Sequence, residues 1–215
     1  MRNLIILFIL VFGANVSNYA STYTEAMIQN IEKLNKSQDP AELVEIANAF
    51  DRIAMKETTE WLPLYYSAYS TVSITFFNRQ MATEEKVKIF DKATQKLNEA
   101  RKLAGNESEI YVLDALISQL RISTDRANAY QYTIAINNAL GRAEVLNAKN
   151  PRIAYLRGTT LFYTPAEYGG GPDVAKPLLE KAAQLFTTAD VSNPLMPTWG
   201  AYHNTMFLGQ CGGSK

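Results

Sequence analysis

The sequence predicts an all-helical protein, in which antiparallel helix pairs stack into a short solenoid. Three observations lead there. Nothing alternates apolar and polar residues with a period of two, whereas apolar residues recur at three- and four-residue intervals along the chain. One such series, Ala175, Leu179, Ala182, returns as Ile136, Leu140, Ala143, as Ala93, Leu97, Ala100, and more loosely as Ile46, Phe50, Ile53. The step from each series to the small residue of the next helix is constant: Ile53 to Ala68, Ala100 to Ala115 and Ala143 to Gly158 are each fifteen residues. A fixed step means a repeated unit, in which every pair buries its apolar stripe on the next in the same way.

The stretch from Tyr155 to Phe186 shows the unit most plainly. Gly169, Gly170 and Gly171 mark a tight turn, and Pro172 suits a first helical position, where its missing N–H would be unpaired anyway. Gly158 and the Ala175, Leu179, Ala182 series are the places where two antiparallel helices must approach closely. On these residues the chain resembles the tetratricopeptide repeat family, whose helix-turn-helix unit has a small residue in its first helix and paired small or apolar residues in its second. The fifteen-residue step fits the corner between repeats. Inside each unit the spacing departs from the family: Ala68 to Ala93 is twenty-five residues, Ala115 to Ile136 twenty-one and Gly158 to Ala175 seventeen, against about twelve. The resemblance therefore implies degenerate repeats with long arms. The glycine turn before Pro172 is similar to a loop of secreted bacterial members, and of the repeat subunits of some substrate-binding transporters.

In chain order, Met1 to about Ala20 has the form of a secretory signal peptide: Arg2, an apolar core from Leu4 to Phe12, and small residues at the end. Asn15, Ser17 and Asn18 cut the run short of the roughly twenty apolar residues of a membrane anchor. Cleavage after Ala20 is expected, a retained anchor being the alternative, and residues 21–215 form one helical domain of about three long pairs plus a capping helix at each end. From Tyr23 to Asn35 an amphipathic helix turns Ala26, Met27, Ile31 and Leu34 inward as the first cap. Asp39 then caps a helix with Pro40 in its first position and Glu42 reaching back as a capping-box acid. Trp61 to about Asn78 carries Trp61, Tyr65 and Tyr69 four apart, beside Tyr66. Its partner follows Thr83, buries Phe90, Ala93, Leu97 and Ala100, and is expected to end in a left-handed cap at Gly105. Glu109 to Ile122 and Tyr130 to about Asn147 make the second pair, and Asn150-Pro151 opens the third. The segment from Trp199 to Cys211 is expected to close the stack, with residues 212–215 frayed.

Composition excludes several classes of function. Lys plus Arg equals Asp plus Glu at 21 each, so no long-range field favours a nucleic-acid backbone. The single cysteine, Cys211, excludes an internal disulfide, and one histidine with one cysteine cannot build a zinc shell. Cys211 and His203 are eight residues apart, about 12 Å along a helix axis, which is too far for a nucleophile and its base. The glycine turn lacks the preceding strand and following Lys-Ser/Thr of a phosphate loop. No catalytic residue, cofactor or metal is expected.

What remains is a surface. If Ala68, Ala115 and Gly158 are equivalent, the resemblance assigns the concave side to Leu62, Tyr65, Tyr69, Val72 and Ser73, to Glu109, Val112, Leu116, Gln119 and Leu120, and to Arg152, Tyr155, Thr159, Phe162 and Tyr163. Tyrosine joins contact area to a hydroxyl, and Arg152 offers a cation to a carboxylate. The implied function is an exported, non-catalytic adaptor whose groove binds a protein or peptide partner of the cell envelope, with Tyr65, Tyr69, Leu116, Gln119, Arg152, Tyr155, Thr159, Phe162 and Tyr163 in contact. The alternative is a small-ligand or transporter-accessory protein whose groove closes into an apolar pocket. Equally, the face could be folded over and these tyrosines simply core.

Overall fold

The computed structural model describes residues 22–78 and 80–212; the expected leader and the last three residues lie outside the described residues. Among the described residues the chain forms nine α-helices, two short 3-10 turns and no strand. They are α1 (22–36), α2 (Pro40–Lys56), α3 (Leu62–Phe77), α4 (Thr83–Leu103), α5 (Ser108–Arg121), α6 (Ala129–Leu146), α7 (Pro151–Tyr163), α8 (Pro172–Thr187) and α9 (Ala201–Cys211). Among these helices, none is long and apolar enough to cross a membrane.

The three expected pairs are α3 with α4, α5 with α6, and α7 with α8, and each packs directly. The first helices of successive pairs also touch, α3 on α5 and α5 on α7, so the pairs stack in one direction. The repeated series is the spine of this stack. Ala93, Leu97, Ala100, Leu140, Ala143, Ala175, Leu179, Ala182, Ala68 and Ala115 are all buried. Gly158 shows why a small residue is required there, because a Cβ on it would stand 2.7 Å from Leu179 Cδ2. Truncating a fully buried leucine such as Leu97 or Leu179 to alanine costs about 2–5 kcal/mol in such a core.

Helix ends follow local chemistry, with two corrections to the sequence reading. Asp39 caps α2 through Ala41 N–H, but Glu42 accepts from the Ser37 hydroxyl at 2.7 Å and does not close a capping box on Asp39. Gly105 is not left-handed; α4 ends on Ala104, and the Ala100 carbonyl accepts from its N–H. Asn150 caps α7 by accepting from Arg152 N–H.

The glycine turn uses its three residues differently. Gly169 and Gly171 take φ of +79° and +106°, the left-handed region that favours glycine. Gly170 is needed for space, since a Cβ there would lie 2.2 Å from Thr164 O and 2.7 Å from Leu161 O. Those are backbone atoms, and Leu161 O accepts from both Thr164 N and Gly171 N. Gly170→Ala is therefore expected to cost about 2–4 kcal/mol, and Gly169→Ala, with open space around it, about 1–2 kcal/mol. Urea midpoints at unchanged slope would measure the order of the two.

Candidate ligand-binding site

The concave side predicted from the sequence is brought together as one surface, and the chain's own C-terminal segment covers part of it, at Tyr65, Tyr69, Arg152 and Tyr155. Residues 189–200 leave α8, run across the first helices and enter α9. They are termed the strap here. Tyr66 Oη donates to Leu195 O at 2.9 Å, Arg152 Nη2 donates to Pro197 O, and Trp199 Nε1 donates to Tyr65 Oη at 2.8 Å. The Trp199 indole stacks on Tyr69 with centroids 5.1 Å apart at 17°, and meets Tyr155 edge-on at 6.5 Å. Of the two possibilities the sequence leaves for this face, an open groove and a face folded over, the second holds for Tyr65, Leu116, Arg152, Tyr155 and Thr159, which are buried, and Tyr69 lies under Trp199.

Arg152 is also corrected. It is no free handle for an external carboxylate, because Glu109 Oε1 lies 3.1 Å from its Nη1 with both side chains buried. Asn150 Nδ2 donates to the same carboxylate oxygen at 2.7 Å, and Tyr65 Oη lies 3.4 Å from Oε2. Burial pushes the Glu109 carboxyl above its usual range, while Arg152, Asn150 and Tyr65 pull it down. Burial likewise holds the Tyr65 phenol well above its ordinary value, so it stays protonated. The guanidinium lies 5.3 Å from the Trp199 ring centroid and 6.0 Å from that of Phe186, which seats it among aromatic rings.

From Trp199 the aromatic contacts continue outward. Tyr155 touches Phe207 of α9 at 6.4 Å, and Phe207 meets Phe162 at 5.1 Å and Tyr163 at 5.7 Å. Phe162 and Tyr163 also pack edge to face at 5.4 Å. Here the chain of rings reaches solvent: Phe162 and Phe207 are half-buried, and Tyr163 is 69% exposed. Beside them Gln119 Nε2 donates to Thr159 and Thr160 at 3.0 and 3.3 Å, which joins α5 to α7. This ledge between α7 and α9 presents aromatic surface with a polar margin, suited to a flat apolar ligand.

The sequence places Trp199 and Phe207 in a closing cap, whereas the structure puts both against the rings of the site. Helix α9 packs on α8, with the Asn204 amide donating to Leu179 O at 2.9 Å, and it touches α7 through Phe207. The repeat step does not reach Phe207, since fifteen residues on from Ala182 is Pro197, and only the helical spacing of the apolar residues in α9 marks it. Trp199 sits in an aperiodic segment with no such signal. Partial burial lowers the pKa of His203, one turn before Phe207, which keeps its imidazole neutral at pH 7. Among the described residues no group of three or more His, Cys, Asp or Glu side chains could hold a metal ion. A concavity of about 970 Å³ between α1 and α2, lined in part by Tyr23, Lys33, Glu42, Arg52 and Glu57, lies elsewhere.

The sequence matches no family model and no curated protein. Among solved structures, the chain is similar to the HusA haemophore from Porphyromonas gingivalis, with 31% identity and a TM-score of 0.78, over 90% of this chain and 95% of that one.

If the ion pair holds the strap's floor, removing one partner is more damaging than removing both. Glu109→Ala is expected to cost about 3–5 kcal/mol, and Glu109→Leu with Arg152→Met clearly less. Denaturation midpoints of the single and double variants would measure this; equal losses would contradict it.

Proposed function

The chain belongs to the family of the HusA haemophore, and on that premise we propose that it is an exported, non-catalytic carrier of haem or a similar planar macrocycle, held at the ledge of Phe162, Tyr163 and Phe207. The observation that carries this reading is the exposure of that ledge. Buried aromatic residues need no further explanation than packing, but three rings in mutual contact that end on a Tyr163 69% exposed offer a stacking surface to a ligand. A porphyrin is large, flat and apolar with charged groups on one edge, and so matches a ring-lined ledge with a polar margin. The signal-like residues 1–20 support export. A protein or peptide adaptor is less well supported, since the strap lies where an extended partner would bind.

Hemin titration of residues 21–215, followed by its Soret band, tests the proposal. Tyr163→Ala and Phe207→Ala are each expected to weaken binding about tenfold or more with helix content unchanged, from lost stacking and area. Tyr130→Ala, which removes an exposed tyrosine at the start of α6, is expected to leave binding unchanged. No Soret change on mixing, or equal losses in all three variants, would contradict the assignment.

A further inference from the structure

The strap covers the most polar part of the core. Beneath it lie the Glu109–Arg152 ion pair, Asn150 and the hydroxyls of Tyr65 and Tyr66, and the buried Arg152 Nε has no hydrogen-bond partner. The strap itself has little regular structure. Residues 190–194 and Thr198 are exposed, and it ends on Gly200 at φ +108°, where chain direction changes into α9. Lifting it breaks no helix; it exposes Leu195, Met196 and Trp199, which pack on the core, and it returns water to an ion pair whose burial is costly, which offsets part of that loss. What it leaves behind is a slot. One wall is the face of Tyr69, now under the indole; another is Tyr155, and the guanidinium of Arg152 lies near the ring. At its rim is a cationic donor, Arg152 Nη2, now facing the Pro197 carbonyl, while the Tyr66 hydroxyl holds the strap through Leu195 O.

We propose that the strap is a gate occupied by the chain's own side chain: Trp199 fills the inner half of a ring-binding site that is continuous with the outer ledge. The ligand class is a planar aromatic molecule with oxygen acceptors on its edge. Its ring system replaces the indole against Tyr69 and Tyr155, and an edge acceptor replaces the carbonyl of Pro197 on Arg152 Nη2. This inference rests on the ledge being a ligand site.

The test is hemin titration of the native protein, Trp199→Ala and Tyr66→Phe. The observed dissociation constant of a gated site is the intrinsic one divided by the open fraction, so loosening the strap tightens binding. Trp199→Ala is expected to tighten it roughly 3- to 30-fold, and Tyr66→Phe, which loses one hydrogen bond, roughly 2- to 10-fold. Tyr66→Phe keeps its ring stacked on Phe50 and decides the matter if Trp199→Ala does not fold. Unchanged or weaker binding in Tyr66→Phe would overturn the gate. Hydrogen exchange of the ligand-free native protein gives a second reading, in which amides of the strap exchange at least about 100-fold faster than those of α5 and α7. Strap exchange as slow as that of α5 overturns the gate whether or not hemin binds. If no variant perturbs the Soret band, the haem reading fails, and exchange alone decides whether the strap opens.

Discussion

A guanidinium buried inside a stack of helices must be neutralised and hydrogen-bonded, and Arg152 is where this fold meets that demand. Its position follows from the repeat, since it opens the third pair just after the cap Asn150 and faces α5 from α7. Glu109 supplies the counter-charge from the equivalent place in the preceding pair. Its Nη2 reaches Pro197 O, which draws the strap onto the concave side. Once the strap is seated, Trp199 lies on Tyr69, and the row of rings runs without a break to α9. One buried charge thereby organises the cover of the groove and the floor of the site.

The helices and their stacking were legible because they rest on local, periodic signals. Ala93, Leu97 and Ala100, with their counterparts around Leu140 and Leu179, repeat at helical spacing, and each is buried as that spacing requires. The site was half legible for the same reason. Equivalence of Ala68, Ala115 and Gly158 placed Tyr65, Tyr69, Tyr155 and Phe162 on one side, and contacts join them there, through Trp199 and Phe207. What covers that side was not legible. Tyr65 and Trp199 are 134 residues apart, and the strap has no period that could announce its docking. Arg152 looked like a free cation because its partner, Glu109, was visible only as another residue of the groove. Gly105 misled through a general preference: α4 closes on Ala104 without left-handed backbone.

The structure thus divides the aromatic residues into two roles that composition cannot separate. Tyr65, Tyr66 and Phe50 are packed on one another and stabilise the first pairs. Tyr163, beside the half-buried Phe162 and Phe207, stabilises little by comparison, because most of its surface is not removed from water. Trp199 stands between the two groups. Its indole is packed like core, yet it belongs to a segment held by a few side-chain hydrogen bonds. Such a residue sits where a ligand-binding protein needs a flat surface and where a free protein must not leave one open.

The central claim is that a planar macrocycle binds against these rings. Amide and side-chain shifts of the protein with zinc protoporphyrin test it most directly, because the diamagnetic macrocycle has a ring current that moves nearby resonances according to position. The account predicts the largest shifts at Tyr163, Phe162, Phe207 and Trp199, and small ones on α1 and α2. Shifts concentrated on the concavity between α1 and α2, around Tyr23 and Arg52, would contradict it.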